Sequence, residues 1–125
     1  MNCTNLHQLK EIFTRVKHHL LTQGVQSVTQ SPTGVKNRCL YRGPNGTKCA
    51  IGCLISDDQY LIGLEGKPAG RRAITMSIEN SLEIDIDARA IMLLARLQDL
   101  HDTTKPESWE DGLKFIWRCT LEFVN

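Results

Sequence analysis

Cysteine residues are concentrated in one segment, where their side chains could bind a metal. The segment RCLYRGPNGTKCAIGCLISDD, residues 38–58, contains Cys39, Cys49 and Cys53, three of the chain's five cysteines. With His101 as a fourth ligand, these thiols would make a tetrahedral Cys3His zinc site. The spacing does not match a zinc knuckle, in which two residues separate a pair of cysteines on a tight turn. The small apolar neighbours favour cysteines packed in the core instead, and we expect no metal.

A thiol nucleophile is the second chemistry that these residues could support. If Cys49 begins a helix, the positive end of the helix dipole would lower the pKa of its thiol. His101 and Asp102 could then act as the base and as the group that orients it. Adjacent helical residues point about 100° apart, however, so Asp102 is not expected to orient His101. A core histidine bonded to a free carbonyl group at the helix end explains His101 more simply, and we predict no catalytic residue.

Two glycine-containing loops carry cations that could bind a phosphate group. They are RGPNG at residues 42–46 and GKPAGRR at residues 66–72. Neither loop matches a P-loop or a dinucleotide-binding fingerprint. If the loops met in space, the cations of a ligand site would be Arg38, Arg42, Lys48, Lys67, Arg71 and Arg72. A small nucleotide would find its best binding surface there.

The elements that position these residues are expected to be mainly helical. Asn5 and Gln8 have capping-box spacing and Gly24 is a stop signal, which together predict a helix over residues 5–22. A short helix is expected around residues 77–82, and Asp87 is the predicted N-cap of a helix over 88–101. The last helix begins after DTTKPE, residues 102–107, with either a Thr104/Glu107 or a Ser108/Asp111 cap.

The middle of the chain is expected to contain a small β element. A strand at residues 38–42 and a turn at Asn45-Gly46 precede residues 49–55. Residues 49–55 fit the return strand of a hairpin or a helix of about two turns, and we favour the helix because Ala50, Gly52 and the Cys49/Cys53 spacing suit close packing against the central helix. The predicted fold is mainly α (α+β), with three main helices around a buried central helix, a small β-strand or hairpin element and an irregular middle segment. Residues 1–125 form a single domain in this prediction.

Two of the predicted helices are unusually apolar. The helix over 88–101 is apolar nearly all round, as expected of a buried central helix. The last helix has an apolar arc of roughly 240°, compared with about 100° for a typical surface helix. Such a surplus indicates either a deep core or a second chain, and we infer a homo-oligomer contact. Its aromatic residues would be Trp109, Phe115, Trp117 and Phe123.

Composition limits the classes of partner. The formal net charge of +1 gives no general attraction to nucleic acid or to an anionic membrane. No apolar run reaches the 18 residues of a membrane-spanning helix, and no signal peptide is visible. We therefore expect a protein of the cytoplasm, where cysteines stay reduced. No cofactor signature is present, and we expect none.

Three segments resemble a group of small proteins of unknown function encoded by tailed phages and prophages. Their pattern is Gly-x-x-Cys-Ala-x-Gly-x-Leu-Ile, then Leu-Gln-x-x-His-Asp, then a helix with tryptophan. The matching residues are Gly46, Cys49, Ala50, Gly52, Leu54, Ile55, Leu97, Gln98, His101, Asp102 and Trp109. The likeness covers roughly residues 38–120. It implies the setting of a phage accessory protein, a class that often binds and disables host factors, including antiviral defence components or their nucleotide signals.

The leading hypothesis is therefore an accessory protein that binds a host factor stoichiometrically, as a host-takeover or anti-defence inhibitor. It would act in the host cytoplasm, as a homo-oligomer through the last helix, without a membrane or nucleic acid as partner. The first alternative is a sponge for a small nucleotide or another anionic signal. The second alternative is a thiol enzyme that uses Cys49 and His101.

Overall fold

The computed structural model describes residues 3–29 and 38–122, which fold mainly into α-helices. In chain order the helices in these ranges are α1 (Leu6–Gln23), α2 (Arg72–Leu82), α3 (Ala88–Thr103) and α4 (Trp109–Thr120). Short 3-10 turns occur at Pro44–Gly46, Gly52–Leu54, Ile62–Leu64 and Pro106–Ser108. The mainly α prediction is confirmed. The predicted hairpin is not seen in the described ranges, where the β pairing consists of isolated antiparallel bridges, Val28 with Cys39 and Arg42 with Lys48.

Helix α1 begins and ends where its local signals predict. The Asn5 side chain accepts a hydrogen bond from the backbone N–H of Gln8 at 2.8 Å, and the Gln8 side chain accepts from the N–H of Asn5 at 3.0 Å. Gly24 follows the helix with φ of 70°, a left-handed conformation that glycine adopts without strain. The predicted apolar stripe faces the core, with buried residues Leu9, Ile12, Phe13, Val16 and Leu20.

Helix α3 is central in the sense that it packs against both α1 and α4. Asp87 caps it by accepting a hydrogen bond from the N–H of Ala90 at 3.0 Å, as predicted. The same carboxylate accepts a hydrogen bond from the N–H of Thr4 at 2.9 Å, across 83 positions of sequence. The expectation of a helix buried all round was wrong. Met92 is 56% exposed and Ala95 is exposed, because the neighbouring helices cover only one side of α3.

Helix α2 is longer than predicted and begins within the basic segment GKPAGRR. Its first residue is Arg72 rather than Ser77. Ile74 and Ile78, one helical turn apart, are fully buried and fix the helix on the core. The described residues therefore contain four helices, where the sequence indicated three main ones.

The segment 49–55 makes one helical turn. The N–H of Cys53 donates to the carbonyl of Cys49 at 3.1 Å, and a 3-10 turn follows at Gly52–Leu54. The choice of helix over strand is confirmed, but the helix has one turn instead of two. A Cβ on Gly52 would lie 2.0 Å from the carbonyl oxygen of Tyr41. The closest approach that Gly52 permits is therefore to the Tyr41 backbone.

Helix α4 follows a 3-10 turn, and the Ser108 side chain makes no capping hydrogen bond. Trp109 is fully buried and its indole N–H donates to the carbonyl of Thr104 at 2.9 Å. Trp117 packs against Phe13 of α1, with ring centroids 5.2 Å apart. Much of the wide apolar arc is therefore absorbed by the chain's own core. Of the predicted interface residues, Phe115 is 67% exposed, Trp109 is inaccessible, and Phe123 lies outside the described residues.

Within residues 3–29 and 38–122, no helix is both long enough and apolar enough to cross a bilayer.

Candidate functional site

The C-terminal turn of α3 presents the polar groups of the site. Gln98 and Asp102 are four residues apart and lie on one face of the helix, where the Gln98 amide donates to the Asp102 carboxylate at 2.7 Å. The other end of the Gln98 amide accepts a hydrogen bond from the backbone N–H of Ile51 at 3.0 Å. Gln98 therefore ties α3 to the helical turn that contains the cysteines.

His101 is fully buried, as predicted, and its hydrogen bonds define its tautomer. The backbone N–H of Ser27 donates to Nε2 at 2.9 Å, so Nε2 must present a lone pair. Nδ1 therefore carries the proton of the neutral ring and donates it to the Asp102 carboxylate, 2.8 Å away. The ring also stacks on Trp109, with centroids 5.6 Å apart.

Two predictions about His101 were wrong. Asp102 does orient the ring, because its side chain reaches back beside Nδ1 although the two Cα–Cβ bonds diverge. The ring also does not bond a free carbonyl group at the helix end. Its partners are the N–H of Ser27 and the Asp102 carboxylate, while the His101 carbonyl oxygen accepts from the Gln26 side chain at 2.7 Å.

Cys39 completes the cluster. Cys39, His101 and Asp102 each contribute one atom that could bind a metal, and these three atoms lie within 4.8 Å of one another. Desolvation, and after it the interaction with Asp102, raises the pKa of the Cys39 thiol to about 12. Burial alone would raise the pKa of Asp102, but hydrogen bonds from His101, Cys39 and Gln98 lower it overall. The cluster is thus a protonated thiol and a neutral imidazole around one carboxylate.

The predicted fallback zinc ligands are not assembled as a set. Cys39 and His101 meet, but Asp102 completes their group, and Cys49 and Cys53 do not belong to it within the part of the chain that the structure describes. A metal on Nδ1 of His101 would require the proton to move to Nε2, where it would face the Ser27 N–H. The donor set therefore does not fit a zinc site.

The geometry also does not fit a Cys49 nucleophile. Cys49 is 1% exposed. Burial raises the pKa of its thiol, and hydrogen bonds from the N–H groups of Gly52 and Ile51 offset this only in part. Cys53 donates its thiol hydrogen to the carbonyl of Ala50, and burial raises the pKa of Cys53 to about 12. Nucleophilic attack requires a thiolate, which these environments disfavour.

A cleft of about 640 Å³ opens over the cluster and collects two of the six predicted cations. Arg38 and Lys67 line it together with Cys39, Gln98 and Asp102. No carboxylate of residues 3–29 or 38–122 lies within ion-pairing distance of the Arg38 or Lys67 side chain. Lys67 donates to the carbonyl of Gly63 at 2.9 Å.

The other predicted cations lie elsewhere. Arg42 is committed to the fold, because its guanidinium bonds Asp57 and the carbonyl of Ile55, each at 2.6 Å, and lies 4.9 Å above the Tyr60 ring. Lys48 lies beside the end of α1, where its carbonyl accepts from His19 at 2.8 Å. Arg71 and Arg72 lie at the start of α2, and Arg72 pairs with Glu79 at 3.4 Å. The six cations do not form one site.

Glu65 is a site residue that the sequence reasoning missed. Its carboxylate accepts hydrogen bonds from the N–H groups of Tyr41 at 2.9 Å and Arg42 at 3.0 Å, and from the hydroxyl of Tyr60 at 2.7 Å. It thereby holds the strand-like segment that forms one wall of the cleft. In the sequence, Glu65 looks like an ordinary acidic loop residue of the segment LEGK. Its role in holding the backbone of Tyr41 and Arg42, more than 20 positions away, is visible only in the structure.

Comparison of the chain with protein-family models, with curated proteins and with solved structures finds no match, so function has to be inferred from the residues themselves.

Proposed function

We propose that this protein is a small accessory protein of the phage type that binds a host protein stoichiometrically and inhibits it. One observation supports a binder over an enzyme. The most reactive side chains are engaged within the fold: His101 is hydrogen-bonded to Asp102 and to the Ser27 backbone, and the Cys39 thiol lies beside them with its pKa raised to about 12. Large apolar side chains remain exposed on the helices instead, among them Leu21, Met92 and Phe115.

In this proposal the protein acts in the host cytoplasm as a homo-oligomer. Phe115 of α4 supports this contact, since it is 67% exposed beside Arg96 and Cys119. The same Arg96 and Cys119 line a second cleft that includes Met92. These shared lining residues connect the two clefts across α3 and α4, and the surface they form is the proposed contact with a second copy.

The binding function is tested by affinity capture from host cytosol, followed by mass spectrometry and reconstitution of the complex from purified components. We expect a host protein that saturates at a fixed stoichiometry and loses its own activity in the complex. A tagged protein of the same size and charge serves as the control. If the chain captures nothing beyond that control, the proposal is wrong.

A second candidate function is a sponge for a small anionic signal such as a nucleotide. It is favoured by the position of Arg38 and Lys67 in one cleft of about 640 Å³, next to the polar side chain of Gln98. Isothermal titration calorimetry with a panel of mono-, di- and cyclic nucleotides tests it. Binding should be lost in Arg38→Ala/Lys67→Ala and kept in Arg71→Ala/Arg72→Ala. Flat traces with the whole panel would end this candidate.

A further inference from the structure

A groove of about 770 Å³ lies between α1 and α4. Its floor is apolar, since Phe13 and Leu113 lie in it almost fully buried and the Trp117 ring packs on Phe13. Trp117 is only partly buried, and Leu21 is 41% exposed at the α1 side. The groove therefore offers two accessible apolar side chains above a buried apolar floor.

The walls of this groove are mainly cationic. Lys17, Lys114 and Arg118 line it against one acidic residue, Glu122, and the Lys10 ammonium lies 5.6 Å from the centre of the Trp117 ring. Arg118 has Glu122 at 3.9 Å, and Lys114 has Glu110 at 3.9 Å. These pairs are long and largely exposed, so they contribute little and leave the cations accessible to other carboxylates. In a chain of net charge +1, this is a local excess of positive charge.

The groove has the dimensions of a helix-binding surface. On α1 its lining residues Phe13, Lys17 and Leu21 recur every four positions, which spans about 12 Å along the axis. On α4, Leu113 and Trp117 have the same spacing. Ridges of this kind accept the apolar ridge of a third helix. About two turns of an amphipathic helix would cover this length of floor, and carboxylates flanking them would match the walls.

We infer that the α1–α4 groove is the docking site for an acidic amphipathic helix of the protein partner. This inference rests on the proposed binding function and adds the chemistry of the partner segment. The apolar face of that helix covers Trp117 and Leu21, and its Asp or Glu residues meet Lys17, Lys114 and Arg118. Rim charges of this kind govern the association rate and its salt dependence.

The two tryptophans provide a direct readout. Isotope-labelled protein is titrated with a synthetic acidic amphipathic peptide of about 14 residues, which gives about four helical turns. We expect the indole N–H signal of Trp117 to shift, and that of Trp109 to stay, because Trp109 is fully buried and bonded to Thr104. A scrambled peptide of the same composition, and a peptide with Lys in place of Glu, should each bind at least about tenfold more weakly.

Charge reversal tests the role of the cationic walls of the groove. Lys17→Glu/Arg118→Glu should weaken binding of the acidic peptide about tenfold and flatten its dependence on salt between about 50 and 300 mM. The matched control, Arg71→Glu/Lys105→Glu, changes two exposed cations outside the groove and should leave binding within about twofold. Circular dichroism confirms that both variants are folded.

Four results would overturn the inference. The first is equal binding of the scrambled or basic peptide, and the second is NMR signal shifts that map away from the groove. The third is tighter binding of anionic vesicles or duplex DNA than of the acidic peptide. The fourth is a homodimer that dissociates in Lys17→Glu/Arg118→Glu. A host protein captured equally well by wild type and by Lys17→Glu/Arg118→Glu would overturn the docking site and leave the proposed function intact. If the acidic peptide binds at the groove but no host protein is captured, the docking site stands and the proposed function is overturned.

Discussion

The backbone N–H of Ser27 donates a hydrogen bond to Nε2 of His101 at 2.9 Å, joining residues 74 positions apart. This bond and the one from Nδ1 to Asp102 use both ring nitrogens. The tautomer resembles that of a catalytic histidine, but the lone pair that would accept a proton from a substrate is already occupied by the backbone. The same side chain that suggests catalysis in the sequence therefore acts as a buried connector between α3 and the segment after α1.

Replacing His101 should destabilise the fold strongly. His101→Ala leaves the Ser27 N–H without its acceptor, removes one of the donors to the Asp102 carboxylate and opens a cavity beside Trp109, so we expect a loss of about 3–5 kcal/mol in the free energy of unfolding. Urea denaturation followed by tryptophan fluorescence measures it. His7→Ala, at an exposed position of α1, should change stability by no more than about 0.5 kcal/mol. Equal effects of the two substitutions would contradict the connector role.

A methyl group at Gly52 should prevent normal packing. The added Cβ would lie 2.0 Å from the Tyr41 carbonyl oxygen, a backbone atom that cannot yield as a side-chain tip could. We expect Gly52→Ala to lower stability by about 3 kcal/mol or more. Gly63→Ala is the matched control, since nothing lies within 4 Å of its Cβ position. Thermal unfolding of the pair decides the point, and similar melting temperatures would show that the segment can move apart freely.

Alkylation should separate the cysteines by accessibility. Cys3 and Cys119 are exposed, whereas Cys49 is buried and the pKa values of Cys39 and Cys53 are raised to about 12. At pH 8 a thiol of that pKa is ionised in roughly one molecule in 10⁴. Iodoacetamide labelling followed by peptide mass spectrometry should modify Cys3 and Cys119 at least about tenfold faster than the other three. Fast labelling of Cys49 would instead revive the thiol-enzyme alternative.

Stability should fall on mild acidification because of His19. Burial lowers the pKa of His19 from the usual 6.5, and its Nε2–H donates to the carbonyl of Lys48 at 2.8 Å. The unfolded chain therefore takes up a proton at His19 before the folded chain does. The stability that neutral His19 contributes is therefore complete above pH 6.5, the usual histidine pKa, and is lost as the pH falls from there through the lower pKa of the folded state. Urea denaturation between about pH 5 and pH 8 should show this decline, and a smaller one in His19→Gln. Identical pH profiles would contradict it.

The oligomer proposal predicts that one substitution on α4 changes the molecular mass in solution. Phe115→Glu places a charge at a side chain that is 67% exposed, so it should leave folding intact and dissociate the proposed homo-oligomer. Light scattering coupled to size exclusion at micromolar concentration measures the mass. Glu110→Gln, also on an exposed position of α4, is the control. A wild-type chain that is monomeric under these conditions removes the oligomer from the proposal.

Local signals predicted the fold best where the interactions themselves are local. The Asn5–Gln8 capping box and Gly24 fixed both ends of α1, because their hydrogen bonds stay within a few residues. The start of α2 was missed because Arg71 and Arg72 read as a basic loop tip, while the burial of Ile74 and Ile78 that forms the helix is a tertiary effect.

The site depended on partners that no local pattern contains. Spacing indicated that His101 faces the core, but it could not show that Ser27 supplies the N–H to its ring. It also could not show that Glu65 holds the backbone of Tyr41 and Arg42. Of the six predicted cations, Arg38 and Lys67 line the cleft, whereas Arg42 is hydrogen-bonded to the carbonyl of Ile55. Only the three-dimensional structure shows this difference.

The hydrogen bonds between Thr4 and Asp87 affect the order in which the chain folds. The cap of α3 is completed by a residue that leaves the ribosome more than 80 positions earlier, and the Thr4 hydroxyl also donates to the carbonyl of Asp85. A nascent chain that ends before residue 85 has α1 with its local Asn5–Gln8 cap, but it lacks the partners that hold Thr4 on the rest of the fold. We therefore expect cotranslational folding to wait until α3 has been synthesised.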